Sequence, residues 1–147
     1  MSQVPGQADV VRNPEPDRQT VVAAVIIRHG VVLLCQRRRG DSHPLKWEFP
    51  GGKVEPGESP ASALRRELAE ELDIEATIGA EIEQYEYAYG GRPPILLIFY
   101  RVEEFEGEPA SLAFEQIRWE MVGRLVDYDF LEGDFDFVRR LATGAIL

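Results

Sequence analysis

Apolar positions repeat in two different ways along this chain. Residues 20–38, TVVAAVIIRHGVVLLCQRR, carry two blocks of β-branched and aliphatic residues on either side of Arg28-His29-Gly30. Two such blocks joined through a short glycine-containing connection predict a hairpin. His29, at its tip, is read as a solvated turn residue. Further on the period changes: Leu64, Leu68 and Leu72 recur every four positions with Ala61 on the same side. That spacing predicts a helix burying a narrow apolar face. Ser59 followed by Pro60 supplies its start, a hydroxyl for the cap and a proline for the first helical position, and Asp73 its end.

Strand-like patterns return beyond the helix. EATIGAEIEQYEYAY and PILLIFYRVEEF read as two strands linked through Gly90-Gly91-Arg92-Pro93, and EQIRWEMV reads as another. Between the first hairpin and the helix, RGDSHPLKWEFPGGKVEPGESP is punctuated by Gly and Pro, with a short strand around Trp47 to Phe49. A second helix is expected from about Asp134 to Ala142, with Phe137, Val138 and Leu141 on its apolar side. Strands on both sides of a central helix predict an α/β (α+β) fold, a mixed β-sheet sandwiched between helices. The domain is expected over residues 20–147. Residues 1–19, polar and holding three prolines, read as a flexible N-terminal arm.

Composition narrows the class. A chain of 147 residues with 44% hydrophobic content is long enough for one substantial core. Its formal net charge of −10 argues against a duplex-binding surface, which needs clustered Lys and Arg. Cys35 is the one cysteine and lies in an apolar run, so it reads as a buried thiol in a reducing compartment. No apolar stretch approaches the ~18 residues of a membrane span and no leader-like block follows Met1, so no membrane association is expected and the location is read as cytoplasmic.

The chemistry concentrates in RRELAEEL, residues 65–72. Glu67 meets Glu70 and Glu71 at helical i+3 and i+4 spacings, and each like-charge pair costs an isolated helix about 0.2–0.5 kcal/mol. Arg66 relieves Glu70 but does not neutralise three carboxylates. The cluster is either a solvated acidic face or a holder for a hard divalent cation, which takes oxygen ligands. For an acidic run the solvated face is the usual outcome; position beside the buried leucine stripe, just after a Gly-rich loop, shifts weight toward the second without deciding between them.

The wider spacing carries a resemblance. From Gly52, five residues lead to Glu58, seven more to Arg66-Glu67-Leu68, then one to Glu70-Glu71, and two more to Ile74. This resembles the signature box of the Nudix hydrolases at eight of nine defining positions. The ninth is Asp73, where the family has Gly in a left-handed conformation; Asp tolerates that conformation better than most residues, so modest strain is expected. LLCQRR, KWEFPGGKVEPGE, IRWEMV and YDFLEGDFDFVRRL extend the likeness to MutT-type nucleotide pyrophosphohydrolases over residues 20–142.

The resemblance implies a Mg²⁺ enzyme, with Mn²⁺ an alternative, that splits a nucleoside triphosphate into monophosphate and pyrophosphate. It assigns the metal to Gly51 (through its carbonyl), Glu67, Glu70 and Glu71. Glu67, Arg66 and Glu58 form the catalytic group, Glu67 as the preferred base, Arg66 fixing the glutamates and Glu58 orienting the site. Arg37, Glu48, Phe49 and Asp134 fall at substrate-contacting positions. Phe49, with Tyr87 and Tyr89, reads as either a stacking surface or core packing; Asp134 reads as either a base-edge reader or a cap for the last helix. Many relatives carry an acidic residue where this chain has Ala113, and Glu115 is the nearest substitute. The first substrate implied is an oxidised guanine nucleotide such as 8-oxo-dGTP, in nucleotide-pool cleansing. The enzyme rivals are a (d)CTP-type or nucleotide-sugar pyrophosphatase. The rival from another class is a non-catalytic nucleotide-binding regulator, for which Ala113 is the only supporting feature. The partner is a small nucleotide, and monomer and homodimer both stay open.

Overall fold

The computed structural model describes residues 18–144 and Ile146, so the expected N-terminal arm lies almost wholly outside the described residues. The first hairpin forms as expected: β1 (Gln19–Arg28) turns through His29 and Gly30 into β2 (Val31–Gln36). Both turn residues have positive φ, 53° and 80°. That pair is the backbone of the two-residue turn whose twist matches the flanking strands. β3 (Trp47–Glu48) and β4 (Gly51–Lys53) follow within the Gly- and Pro-punctuated stretch.

α1 (Pro60–Leu72) starts and stops where the sequence predicts. The Ser59 hydroxyl accepts from the Ser62 N–H at 3.1 Å, a side-chain cap of the kind that typically adds about 1 kcal/mol. Asp73 closes the helix at φ 59°, ψ 38°, left-handed, as its place in the signature requires.

The predicted strand over 75–89 is divided. β5 (Glu75–Thr77) and β6 (Glu81–Tyr87) are separated at Gly79, whose N–H donates to the Arg101 carbonyl at 2.8 Å. A Cβ on Gly79 would sit 2.6 Å from that carbonyl oxygen, so the close crossing needs glycine. The second predicted strand divides likewise into β7 (Ile95–Val102) and β8 (Glu104–Glu106), and β5 pairs with β8 in a small separate ribbon. β9 (Gln116–Met121) runs antiparallel to β2. Two 3₁₀ turns, Val122–Asp127 and Glu132–Asp134, lead to α2 (Phe135–Ala142), one residue later than the sequence suggests.

The sheet is mixed. Its order is β3-β2-β1-β7-β6, with β1 parallel to β7 and the other pairs antiparallel. β1 divides one edge between two partners: Ile27 and Arg28 pair with β2, while Val21 to Ala23 pair with β4. Alternate residues of β1 serve opposite layers. Val22, Ala24 and Ile26 pack with Leu64, Leu68 and Leu72 of α1; Ala23 and Val25 pack with Phe137, Val138 and Leu141 of α2. A strand buried on both faces reads as an unbroken apolar run, which is what TVVAAVII is. Phe137 of α2 stacks on Phe99 of β7 with centroids 3.8 Å apart. Cys35 is buried. No described helix is long and apolar enough to cross a membrane.

Candidate active site

β4 and α1 face each other where β1 divides, and this junction gathers the predicted carboxylates. Glu67 lies over Gly52: a Cβ there would stand 2.4 Å from the Glu67 Oε2, so the glycine makes the space the carboxylate occupies. Glu71 accepts from the Gly51 N–H at 3.2 Å. The Glu67 and Glu71 carboxyls also lie against each other.

Arg66 is the cationic hub of the helix. It donates to Glu58 at 2.7 and 2.9 Å, to Glu67 and Glu70 at 3.3 Å each, and to the Lys53 carbonyl at 3.2 Å. The guanidinium holds Glu58 down to about 2. One side chain thus ties the loop after β4 to the helix and restrains two of the three clustered glutamates. Glu70 is 60% exposed and, among the described residues, its side chain reaches only Arg66. Among the described residues no three acidic or imidazole side chains already converge as a cation cage. The three glutamates share an edge, as the sequence predicts, but only Glu67 and Glu71 meet.

Their environment suits a divalent cation. Burial raises Glu71 to about 9, with Glu67 and Glu48 adding to the rise, and burial also raises Glu67. Two carboxyls in contact and out of water favour sharing a proton, and a bound divalent cation favours the ionised pair instead. The donor set is all oxygen, which matches a hard ion.

Toward α2 the same cleft, a cavity of about 300 Å³, is lined by Glu48, Phe49, Gly51, Gly52, Glu71 and Asp134 among others. It adjoins a wider mouth whose lining includes His43, Lys53, Tyr89 and Arg92. Phe49 settles on the core side of its two readings: it is 3% exposed and wedged among Phe99, Phe130 and Phe137, so it floors the cleft and offers no free stacking face. Tyr87 meets Tyr89 edge-on at 4.8 Å, and of the two only Tyr89 lines the cleft. Asp134 is 6% exposed and stands at the N-cap position of α2, as the capping alternative has it, but its side chain makes no capping bond. Burial raises it to about 8, with Glu48 second.

Arg37 does not stand free. It donates to the Ser42 carbonyl at 2.7 Å, the Ser42 hydroxyl at 3.0 Å and both Glu48 oxygens at 3.2 and 3.3 Å. Even so, burial outweighs Arg37 and raises Glu48 to about 7. Arg38 donates to the Leu112 carbonyl. Glu115 stands 4.0 Å from Arg39, and Ala113 packs against the α1-side core. Sequence reasoning left out Ser42 and His43, whose only signal was a loop rich in Gly and Pro. Lys53 stands at the mouth of the cleft.

These shifts fix how stability depends on pH. Asp134, Glu48 and Glu71 are protonated in the fold up to about 8, 7 and 9, whereas an unfolded chain releases these protons near ~4. Above that value the unfolded state binds fewer protons, so stability falls as pH rises toward 9, by up to about 1.4 kcal/mol per pH unit for each proton. Glu58 acts oppositely, contributing stability that is lost as pH drops from ~4 to about 2. Thermal melts in chelator are expected to peak at about pH 4 and decline to pH 9, and Asp134→Asn should flatten the decline. A melting temperature that climbs from pH 5 to 8 would contradict the buried, protonated carboxyls.

Comparison with known proteins agrees with this arrangement. The NUDIX domain family model matches residues 17–141. A CTP pyrophosphohydrolase of Escherichia coli is 43% identical over 99 residues, covering 67% of this chain and 73% of that protein. An 8-oxo-dGTP diphosphatase of Haemophilus influenzae is 44% identical over 100 residues, again 67% of this chain and 73% of that one. The solution structure of the E. coli ORF135 protein superposes with a TM-score of 0.75 at 36% identity, covering 86% of this chain and 91% of the other. With the signature glutamates on one helix facing a glycine pair, and the match spanning nearly every described residue, the chain belongs to the NUDIX family, whose hydrolases generally use a divalent metal.

Proposed function

We propose that this chain hydrolyses a nucleoside triphosphate to its monophosphate and pyrophosphate, with 8-oxo-dGTP as the preferred substrate. The observation that carries the reading is one cleft whose lining joins Gly51, Gly52 and Glu71 to Phe49 and Asp134. A nucleotide needs both kinds of neighbour, a cation-holding group for its polyphosphate and a polar reader on an apolar floor for its base. Glu67 and Glu71 would hold Mg²⁺, or Mn²⁺, with Glu70 turned in from the surface and the Gly51 carbonyl completing the protein ligands. When bound, such an ion would neutralise charge on the phosphate oxygens and lower the pKa of a water it holds.

The chain's own groups do the rest. Glu67, its carboxyl raised by burial, accepts a proton as water adds across the phosphoanhydride, and pyrophosphate leaves. A base is most effective when its pKa lies near the working pH. Arg66 keeps Glu67 in place, and Glu58 keeps Arg66 in place. Lys53, at the mouth, offsets polyphosphate charge. Arg37 serves the substrate by exchanging part of its Ser42 and Glu48 contacts for a phosphate.

Asp134 discriminates between bases. A neutral carboxyl presents one donor and one acceptor. It complements an oxidised guanine edge, where the ring N–H donates beside a carbonyl, and meets lone pairs on the unoxidised ring nitrogen. Ionised, it prefers the amino group of cytosine. That preference, with the CTP pyrophosphohydrolase relative, supports CTP as the second reading.

The test is a panel of 8-oxo-dGTP, dGTP, CTP, UTP and ADP-ribose with Mg²⁺, comparing the parent with Glu71→Gln. Glutamine mimics the protonated Glu71, so the fold should persist while pyrophosphate release drops at least a hundredfold. Tight nucleotide binding without turnover in the parent would instead favour the regulatory module.

A further inference from the structure

Asp134 makes no side-chain hydrogen bond among the described residues, yet it is buried beside the cleft. Something other than its own side chain must hold it there. The residue before it is gripped on both sides. The Tyr85 hydroxyl donates to the Gly133 carbonyl at 2.6 Å, and the Gly133 N–H donates to the Tyr89 hydroxyl at 2.9 Å.

Tyr85 lies on β6 and Tyr89 two residues past its end, and both hydroxyls reach the same glycine. The fit leaves no slack. A Cβ on Gly133 would stand 2.3 Å from the Tyr89 hydroxyl and 3.1 Å from the Tyr87 ring. The turn is anchored from its other side by the Asp134 N–H, which donates to the Leu131 carbonyl at 2.9 Å.

We infer that Tyr85 and Tyr89 are positioning residues that clamp the Gly133 peptide groups and thereby set the base discrimination made by Asp134. The inference rests on the reading of Asp134 as the group that meets the base. Its logic is that a side chain without partners of its own is only as well placed as its backbone. Two chains of contact then lead from one strand to one carboxyl, and neither passes through the glutamates of α1.

Tyr85 gives the cleaner test because it does not line the cleft, whereas Tyr89 does and could also touch substrate. Tyr85→Phe keeps the ring that packs 5.8 Å from Phe99 and removes only the hydroxyl. A neutral hydrogen bond of ordinary strength corresponds to roughly a three- to tenfold change in an equilibrium. The measurement is the ratio of kcat/KM for 8-oxo-dGTP over dGTP, and for CTP over UTP, in the parent, Asp134→Ala, Tyr85→Phe and the double variant. For whichever pair Asp134→Ala brings together, Tyr85→Phe should cut the ratio about three- to tenfold, chiefly through the better substrate, and should add nothing in the Asp134→Ala background. Tyr89→Phe should cut it too. If Asp134→Ala erases the ratio and Tyr85→Phe leaves it intact, or lowers both substrates equally, the clamp is overturned while the reading of Asp134 stands. If Asp134→Ala leaves both ratios unchanged, the reading beneath the clamp fails and takes it along.

Discussion

Glu67→Gln is expected to lower kcat about a thousandfold while leaving the metal-free fold about as stable as the parent. A positioned base contributes roughly 10²–10⁴-fold to a rate, and here the same carboxylate is also assigned to the cation. Glutamine preserves the shape over Gly52, where the carboxylate now sits. It keeps a side-chain oxygen that can accept from the protonated Glu71, which burial first and Glu67 second drive up to about 9. The contact between the two side chains therefore persists without the metal, so melting in chelator should stay near the parent. Saturation kinetics with Mg²⁺ and thermal melts in EDTA read the two halves separately. Near-normal kcat would remove Glu67 from the chemistry. A large fall in melting temperature would mean that the side chain matters through the fold.

Gly51→Ala and Gly52→Ala should fail in different ways although they are adjacent. A Cβ on Gly51, at φ 155°, would meet the Val22 carbonyl oxygen at 1.9 Å and the Ala23 Cα at 2.8 Å. Those atoms belong to the central strand and cannot step aside, so β4 must leave β1. The expected cost is about 3 kcal/mol or more, in the upper range for overpacking, or roughly a 10 °C fall in melting temperature for a chain this long. The three atoms nearest a Cβ on Gly52 all belong to the Glu67 carboxylate, at 2.4 to 2.9 Å. A side-chain end can move, so Gly52→Ala should fold and melt near the parent. Its kcat should still fall on the order of a hundredfold, the loss that a misplacement of about 1 Å can cause. Equal melting of the two variants would contradict the packing of the glycine pair between β1 and α1.

The main elements were legible in the pattern of residues. Leu64, Leu68 and Leu72 state a helix and its buried face, and Ser59-Pro60 and Asp73 state its ends. The doubly buried β1 was visible as an unbroken apolar run. The divisions within the later strands were not visible, because a break at Gly79 depends on how closely a carbonyl of β7 approaches it. Phe49 had two readings for the same reason. An aromatic beside a cleft and an aromatic in a core look alike until Phe99, Phe130 and Phe137 are brought around it.

By itself, the chain determined where acidic side chains collect, because helical geometry puts Glu67, Glu70 and Glu71 on one edge whatever surrounds them. It also determined the two-layer core, through the alternation of apolar residues in β1 and the stripe on each helix. Only the tertiary structure decided which glutamates lose their water. Glu71 is buried against Gly51 and Glu67, while Glu70, one residue earlier, is open to solvent. Tertiary structure alone also brought Tyr85, Tyr89 and Asp134 together from strands and turns distant in sequence. Burial and long-range contact depend on what packs opposite a residue, and that information is spread over the whole chain.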